Sequence, residues 1–286
     1  MNVISFSLFG TRQFNFEVVF KSAWTFFPGW EVRVHYESGL LARAPVLEKL
    51  AKRGLIMLQD SGPSEHPCKS MLWRVKPLWD RSVDHFICRD LDSILMLKDR
   101  RMVETFMETG AAVHCVNDHP DHFVPMMGGM VGFNNREFWA EEFYRSWNDF
   151  VHDYPYWDFP GSDQGLMTAR LWPRAQQSLC EHRLCGYPQT RGAKHSSTEV
   201  EHFGTYDGPR LNDVPVEFFD IVDHPLKPRI EEYYKRDPRR KLEMDCHRGD
   251  SYANFMGAPE FYTDLALGDF NRWGPPFLRD PELFTI

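Results

Sequence analysis

Short apolar runs separated by amphipathic stretches dominate the first half of the chain. Four runs have the length of buried strands: residues 3–9, 32–36, 55–58 and 83–88. Three stretches between them repeat apolar residues at helical spacing: residues 14–24, 44–52 and 69–79. Strands that alternate with helices at such short intervals predict an α/β fold, with a mainly parallel central sheet flanked by helices.

The pattern changes in the second half of the chain. A glycine-rich apolar run at 126–133 predicts a further strand. Helices are predicted at residues 136–150, 163–171 and 229–242. Beyond about residue 225 the chain is proline-rich and charged, so we expect one domain over residues 1–225. Residues 226–286 would form a C-terminal extension that packs on this domain, or mediates acceptor binding or oligomerisation.

Composition narrows the class of protein. The 286 residues include 42% hydrophobic and 26% charged residues, which suits one sizeable core. A net charge of −8 argues against a surface built to hold long nucleic acids. No apolar run approaches the roughly 18 residues of a membrane helix, and no export signal is apparent. The six cysteines lack paired metal-ligand spacing, so we expect a reduced, cytoplasmic setting.

Two carboxylates leave the end of a predicted buried strand together. The strand ends at Cys88, and Asp90 and Asp92 follow it with one residue between them. That spacing turns both side chains to one face in extended chain. Carboxylate oxygens at the carboxyl end of a parallel strand suit a magnesium or manganese ion that bridges a diphosphate. The alternative interpretation is a solvated turn after a strand.

The chain has neither a P-loop nor a Gly-x-Gly-x-x-Gly turn, so a nucleotide would have to be held in another way. The ordered motifs are residues 4–10, residues 30–37, Trp73-Arg74, Arg89-Asp90-Leu91-Asp92-Ser93, Asp118-His119-Pro120, Gly128-Gly129-Met130 and Ser162-Asp163-Gln164. This set resembles nucleotide-sugar glycosyltransferases of the GT-A type, closest to small viral and microbial members, over roughly residues 1–225. The resemblance implies a GT-A-like fold and a nucleotide-diphosphate sugar as donor substrate.

The resemblance also implies residues that bind the donor. They are Ser7, Phe9, Gly10, Tyr36 and Glu37 beside the base and ribose, and Arg74, Arg89 and Asp90 towards the ribose or diphosphate. Some of these residues have simpler roles open to them. Tyr36 could cap a strand, and Arg89 could merely pair with the adjacent aspartates and offset their repulsion.

The same resemblance implies a metal centre for Mn²⁺ or Mg²⁺. Asp90 and Asp92 would hold the ion, with Asp92 the more direct ligand. A histidine often completes such sites, and His202 and His182 are equal candidates here. Any one histidine taken alone is more often structural.

Asp163 begins a predicted short helix, where its carboxylate could simply cap free N–H groups. The resemblance instead places it at the transferred sugar or the acceptor hydroxyl, as a general base if the reaction inverts the anomeric configuration. From their chemistry, sugar or acceptor contacts are also predicted for Asp118, His119, Gly128, Gly129 and Trp157. The glycines could equally mark a β-bulge, and Trp157 could be buried core.

These features predict a metal-dependent transfer of a hexose or pentose from a nucleotide sugar to an acceptor hydroxyl, with a glycan as the expected acceptor. One alternative keeps the fold and takes hydroxymethylated DNA as acceptor, as some phage enzymes do. Two others are a nucleotidyltransferase and a non-catalytic sugar-binding module. The pattern leaves open the donor base, the sugar, the stereochemical outcome and whether the protein forms a homodimer.

Overall fold

A computed structural model of the chain describes residues 1–95, 97–117, 124–138, 140–183, 193–197, 254–256 and 275–285. The strands are β1 Asn2–Leu8, β2 Glu31–Tyr36, β3 Met57–Asp60, β4 His85–Cys88, β5 Ser93–Leu95, β6 Val113–Asn117, β7 Val131–Asn134, β8 Leu179–Arg183, β9 Ala193–Ser197 and β10 Asn254–Met256. The α-helices are α1 Phe16–Phe26, α2 Pro45–Lys52, α3 Pro67–Met71, α4 Leu97–Thr109, α5 Trp147–Val151, α6 Ser162–Arg170 and α7 Trp172–Ala175. Short 3₁₀ helices are Leu40–Arg43, Leu72–Trp79, Ala140–Glu142 and Pro276–Arg279.

Eight of the ten described strands form one large mixed sheet. Its order is β3-β2-β1-β4-β7-β6-β8-β9, and β5 pairs with β10 in a separate two-stranded ribbon. Within the large sheet β7 runs antiparallel to β4 and β6, and the remaining pairs are parallel. Helices flank this sheet, so the predicted fold class of a mainly parallel, mixed α/β sheet is confirmed.

Two buried clusters stabilise the sheet. One contains apolar residues of β1, β2, α1 and α2. The other joins β4, β6 and β7 to the 3₁₀ helix Leu72–Trp79 and to α5, α6 and α7. Side chains of a central strand point alternately to the two faces, so β1 contributes Ile4 and Phe6 to the first cluster and Val3 to the second. The sheet is therefore covered on both faces around β1 and β4.

Two predicted helices differ from the structure. The helix expected at 69–79 is α3 followed by eight residues of 3₁₀ helix, with Pro77 inside it. Pro77 lacks an N–H and crowds the carbonyl of the residue four positions earlier, so a regular α-helix cannot continue through it. The helix expected at 136–150 is wrong: the described part of that stretch holds the 3₁₀ turn Ala140–Glu142, and α5 begins only after Ser146 caps it. The helix expected at 229–242 lies outside the described residues.

The C-terminal segment 275–285 packs on the first two helices. Leu278 and Leu283 are buried in the cluster around α1 and α2. The ring of Phe277 meets Trp24 edge-on at 5.3 Å between centroids. Arg53 and Asp280 form an ion pair of 2.7 Å at the end of α2. This part of the expected extension is thus continuous with the core of the sheet domain.

The sheet topology brings several loops to one edge. β1, β2 and β4 are parallel, so the residues after Leu8, Tyr36 and Cys88 emerge on the same side. β7 is antiparallel, so the residues that precede Val131 reach that same side. No helix in the described part of the chain is long and apolar enough to cross a membrane.

Candidate functional site

A cavity of about 380 Å³ opens at this edge of the sheet. Its lining residues are Ser7, Phe9, Arg12, Phe14, Met71, Arg74, Asp90, Leu91, Asp92, Met127, Gly129, Met130, Asp163 and Gln164. They come from the ends of β1 and β4, the 3₁₀ helix Leu72–Trp79, the segment before β7 and the start of α6. Three carboxylates and two arginines separated widely in sequence therefore share one cavity.

Arg74 links two of the three carboxylates. Its guanidinium forms an ion pair with Asp90 through Nη1, and Nη2 lies 3.5 Å from Oδ2 of Asp163. The Arg74 side chain is buried, whereas about a third of the Asp90 side chain is exposed. The Ser7 hydroxyl accepts a hydrogen bond from the Arg74 backbone N–H at 2.8 Å and donates one to the Met71 carbonyl at 2.9 Å. Ser7 thus fixes the helix that carries Arg74 to the end of β1.

Two glycines allow the segment before β7 to approach this cluster. A Cβ atom on Gly129 would overlap the carboxylate of Asp90, and one on Gly128 would overlap the Arg74 guanidinium and lie 2.9 Å from Oδ2 of Asp163. Any larger residue would displace these charged groups. The glycine pair is therefore required by close packing against the charged cluster.

Asp92 is paired with an arginine that the sequence interpretation did not single out. Nη2 of Arg12 lies 2.8 Å from Oδ2 of Asp92, and 66% of the Arg12 side chain is exposed. The guanidinium also lies 5.3 Å from the ring centroid of Phe14. Burial and the nearby Asp90 charge raise the pKa of Asp92, and Arg12 opposes that rise. The signal available in the sequence was the polar Thr11-Arg12-Gln13 segment directly after the first strand.

Asp163 is buried at the beginning of α6. Gly161 is the N-cap residue of this helix, with φ of +77°, and no side chain caps it. Only 2% of the Asp163 side chain is exposed, and burial raises its pKa although Arg74 and the N–H of Gln164 oppose the rise. The carboxylate therefore accepts from the N–H of Gln164 in the first turn of α6 and also faces the cavity and Arg74.

Arg89 begins the loop that carries Asp90 and Asp92, but its side chain does not line the cavity. Its fully buried guanidinium donates to both carboxylate oxygens of Asp99, at 3.0 and 2.6 Å, and to the Cys88 carbonyl at 2.6 Å. The structure therefore corrects two interpretations. Arg89 pairs with neither Asp90 nor Asp92, and it is not placed to bind a diphosphate, because its guanidinium donates to groups inside the protein. Arg89 thus connects the loop after β4 to α4 inside the protein.

His182, one of the two histidines expected to complete a metal site, is not brought to the two aspartates. His182 is buried on β8, with its ring edge-on to that of His114 at 5.1 Å. Two strands separate β8 from β4, which places it about 14 Å away across the sheet. His202 lies outside the described residues. Among the residues that the structure describes, no three His, Cys, Asp or Glu side chains form a metal-binding group.

Of the five residues predicted around the base and ribose, three line one of two adjacent cavities, and Tyr36 and Glu37 line neither. Ser7 and Phe9 line the first cavity, and Gly10 lines an adjacent one of about 380 Å³ that shares Arg12 and Phe14 with it. Glu37 holds this loop, because its carboxylate accepts hydrogen bonds from the N–H groups of Gly10 at 2.8 Å and Ser64 at 3.4 Å. Tyr36 is the last residue of β2 and is half-buried.

The other predicted sugar-site residues differ in placement. Trp157 packs edge-on against Tyr154, at 4.9 Å between ring centroids, and is partly buried against the second core cluster. It does not line the first cavity. Asp118 and His119 lie outside the described residues.

Comparison with solved structures finds distant likenesses. No family model matches the chain, and no curated protein sequence is similar to it. The crystal structure of S. aureus TarS 1–349 has a TM-score of 0.41 and 15% identity, over 97% of this chain and 81% of that chain. The same protein in complex with UDP-GlcNAc gives 0.39 and 14%, over 97% and 82%. The mannosyltransferase PcManGT from Pyrobaculum calidifontis, in complex with GDP-Man and Mn²⁺, gives 0.35 and 10%, over 96% and 75%.

Proposed function

We propose that this protein is a metal-dependent glycosyltransferase that moves a sugar from a nucleotide-diphosphate sugar to an acceptor hydroxyl. One observation carries the proposal: Asp90, Asp92 and Asp163 share a cavity with Arg74 and Arg12 at the carboxyl edge of a mainly parallel sheet. Ligands of open α/β sheets bind at this edge. Mixed charge of this kind suits a diphosphate, a cation and a reacting hydroxyl together.

The donor set fits Mg²⁺ or Mn²⁺. These ions favour carboxylate oxygens, and Mg²⁺ commonly uses only one or two of them together with substrate phosphates and water. Asp90 and Asp92 supply two carboxylates at the cavity, so a histidine ligand is not required. When bound, such an ion would stabilise the negative charge of the departing diphosphate.

The two arginines take complementary parts in this proposal. Arg74 is buried and held by Asp90, Asp163 and Ser7, so it orients the carboxylates before a ligand arrives. Arg12 is largely exposed and pairs with Asp92 at the mouth of the cavity. Its guanidinium can leave that carboxylate for a phosphate group, since arginine binds both types of oxyanion through paired hydrogen bonds.

Asp163 acts at the reacting centre. Its raised pKa makes the carboxylate a stronger base than an exposed aspartate, which suits removal of the proton from an acceptor hydroxyl in an inverting reaction. In a retaining reaction the same carboxylate would position the transferred sugar. Ser7 and Phe9, at the end of β1, line the cavity where the nucleoside would lie.

Product analysis tests the proposed reaction against its nearest alternative. The purified protein is incubated with Mn²⁺ and a panel of uridine, guanosine, cytidine, adenosine and thymidine diphosphate sugars, with and without simple glycan acceptors. Release of a nucleoside diphosphate with sugar appearing on water or acceptor supports a glycosyltransferase. In a parallel incubation with nucleoside triphosphates and a sugar 1-phosphate, release of pyrophosphate would instead identify a nucleotidyltransferase. Binding of a donor without turnover would identify a sugar-binding module.

A further inference from the structure

A second cavity, of about 480 Å³, shares no lining residue with the first. Its lining residues are Arg33, Gln59, Lys76, Trp79, Asp80, Arg81, Ser146, Trp147 and Asn148. The 3₁₀ helix that carries Arg74 to the first cavity carries Lys76 and Trp79 to this one. The proposed transferase reaction uses none of these side chains.

Lys76 is the most unusual group in this cavity. Its half-buried ammonium lies over two indole rings, 4.8 Å from the ring centroid of Trp147 and 5.6 Å from that of Trp73. It forms no hydrogen bond or ion pair with any residue in the described part of the chain. Burial lowers the pKa of Lys76 to about 8, against the attraction of Asp60. An anion beside the ammonium would offset the cost of its burial.

The other cations that line the cavity already have partners. Arg33 contacts carboxylate oxygens of Glu31 and Asp80, both at 2.7 Å. Arg81 pairs with Glu141 at 2.5 Å. Lys76 is thus the lining cation that forms no ion pair within the described part of the chain, although Asp60 attracts it from outside the lining. The net charge of the whole chain is −8.

The cavity also has apolar carbon surface beside this charge. The indole N–H of Trp79 donates to the Tyr144 carbonyl at 2.8 Å, and that of Trp147 donates to the Leu72 carbonyl at 3.4 Å. Because both polar atoms are used within the protein, the rings offer carbon to the cavity. Aromatic carbon surface packs well against the C–H faces of sugar rings.

We propose that this second cavity binds an anionic sugar residue, with its carboxylate or phosphate on Lys76 and its ring against the indoles of Trp79 and Trp147. The side chains of Gln59, Ser146 and Asn148 supply polar groups for its hydroxyls. The site is separate from the proposed donor cavity. It would tether an acidic saccharide to the protein whether or not the donor site is filled.

The experiment follows the indole N–H signals in ¹H–¹⁵N spectra of the full chain during titration. Four probes are used: glucuronate, glucose 6-phosphate, glucose and inorganic phosphate. The expected result is saturable binding of one or both anionic sugars, at least about tenfold tighter than glucose or phosphate alone, since a hydrogen bond to a charged group contributes about that much. The two anionic sugars distinguish a carboxylate ligand from a phosphate ligand.

Three variants locate the site. Lys76→Met keeps the aliphatic stem and should weaken binding about tenfold, whereas Lys76→Arg keeps the charge and should retain binding. Lys52→Met is the matched control, because Lys52 is an exposed lysine outside both cavities. Unchanged binding in Lys76→Met would overturn the proposal, as would glucose binding as tightly as glucuronate and glucose 6-phosphate. Phosphate binding as tightly as both anionic sugars would overturn the assignment of a sugar ligand.

Discussion

The carboxylate of Asp163 lies in an environment that surface aspartates do not share, and this environment predicts a pH effect. Burial raises its pKa, with Arg74 opposing. A base acts only when deprotonated, so the rate should fall as the pH drops through this raised pKa, above the usual range for aspartate. Asp163→Asn should lower kcat about a hundredfold or more and abolish this acid limb. A pH profile of kcat for the unchanged protein and for Asp163→Asn measures both effects. An unchanged kcat in Asp163→Asn would exclude Asp163 as the base.

Gly129 predicts a different effect at the same cavity. A methyl group there would overlap the Asp90 carboxylate and move it from Arg74 and from the cavity. We expect Gly129→Ala to weaken manganese-dependent binding of the donor nucleotide at least about tenfold, which corresponds to about 1.4 kcal/mol. Isothermal titration calorimetry measures this affinity, with the melting temperature as the check on folding. Unchanged affinity in a folded variant would show that Asp90 need not occupy its present position.

Single residues also show what the sequence could and could not reveal. The spacing of Asp90 and Asp92 after a buried strand was enough to place them at the cavity. The same reasoning failed to place Arg89, because its partner Asp99 lies in a helix that the apolar pattern did not identify. The sequence did not reveal the pairing of Arg12 with Asp92, because that contact depends on tertiary packing, which local sequence patterns do not report.

At the level of secondary structure elements, the contact between Arg89 and Asp99 joins β4 to α4. Both side chains are fully buried. Asp99→Ala would leave the Arg89 charge buried without this partner, so it should lower the free energy of unfolding by about 3–5 kcal/mol. Glu141→Ala is the control, because it removes an exposed ion pair with Arg81 and should cost less than about 1 kcal/mol. Urea denaturation measures both, and equal small losses would contradict the structural role.

Element boundaries followed the sequence where packing and local preference agree. Proline at its first turn begins α2 at Pro45, as its pattern predicted. The helix predicted over 136–150 failed because its aromatic residues pack as separate turns: Phe138 belongs to the second core cluster, and α5 starts afresh at Trp147. Apolar residues at helical spacing therefore did not indicate a continuous helix in this aromatic-rich stretch.

At the scale of the whole molecule, the C-terminal segment contributes to the stability of the sheet domain. Leu278 and Leu283 are buried against α1 and α2, far along the chain from both. Leu283→Ala should lower the free energy of unfolding by about 2–5 kcal/mol through lost burial and a residual cavity. Thr285→Ala is a nearby substitution with a small expected effect. A Leu283→Ala loss no larger than that of the control would show that the segment does not add to the cooperative core.

The central claim is that the cavity at the carboxyl edge of the sheet binds a nucleoside diphosphate through a divalent cation on Asp92. A thermal-shift screen tests it with five nucleoside diphosphates, each with and without Mn²⁺, on the unchanged protein, on Asp92→Ala and on Asp158→Ala, a control at an exposed aspartate. The account predicts stabilisation by at least one diphosphate, about 2.7 kcal/mol at 100 times its dissociation constant, that needs both Mn²⁺ and Asp92. No manganese-dependent shift with any diphosphate, or the same shift in Asp92→Ala, would contradict it.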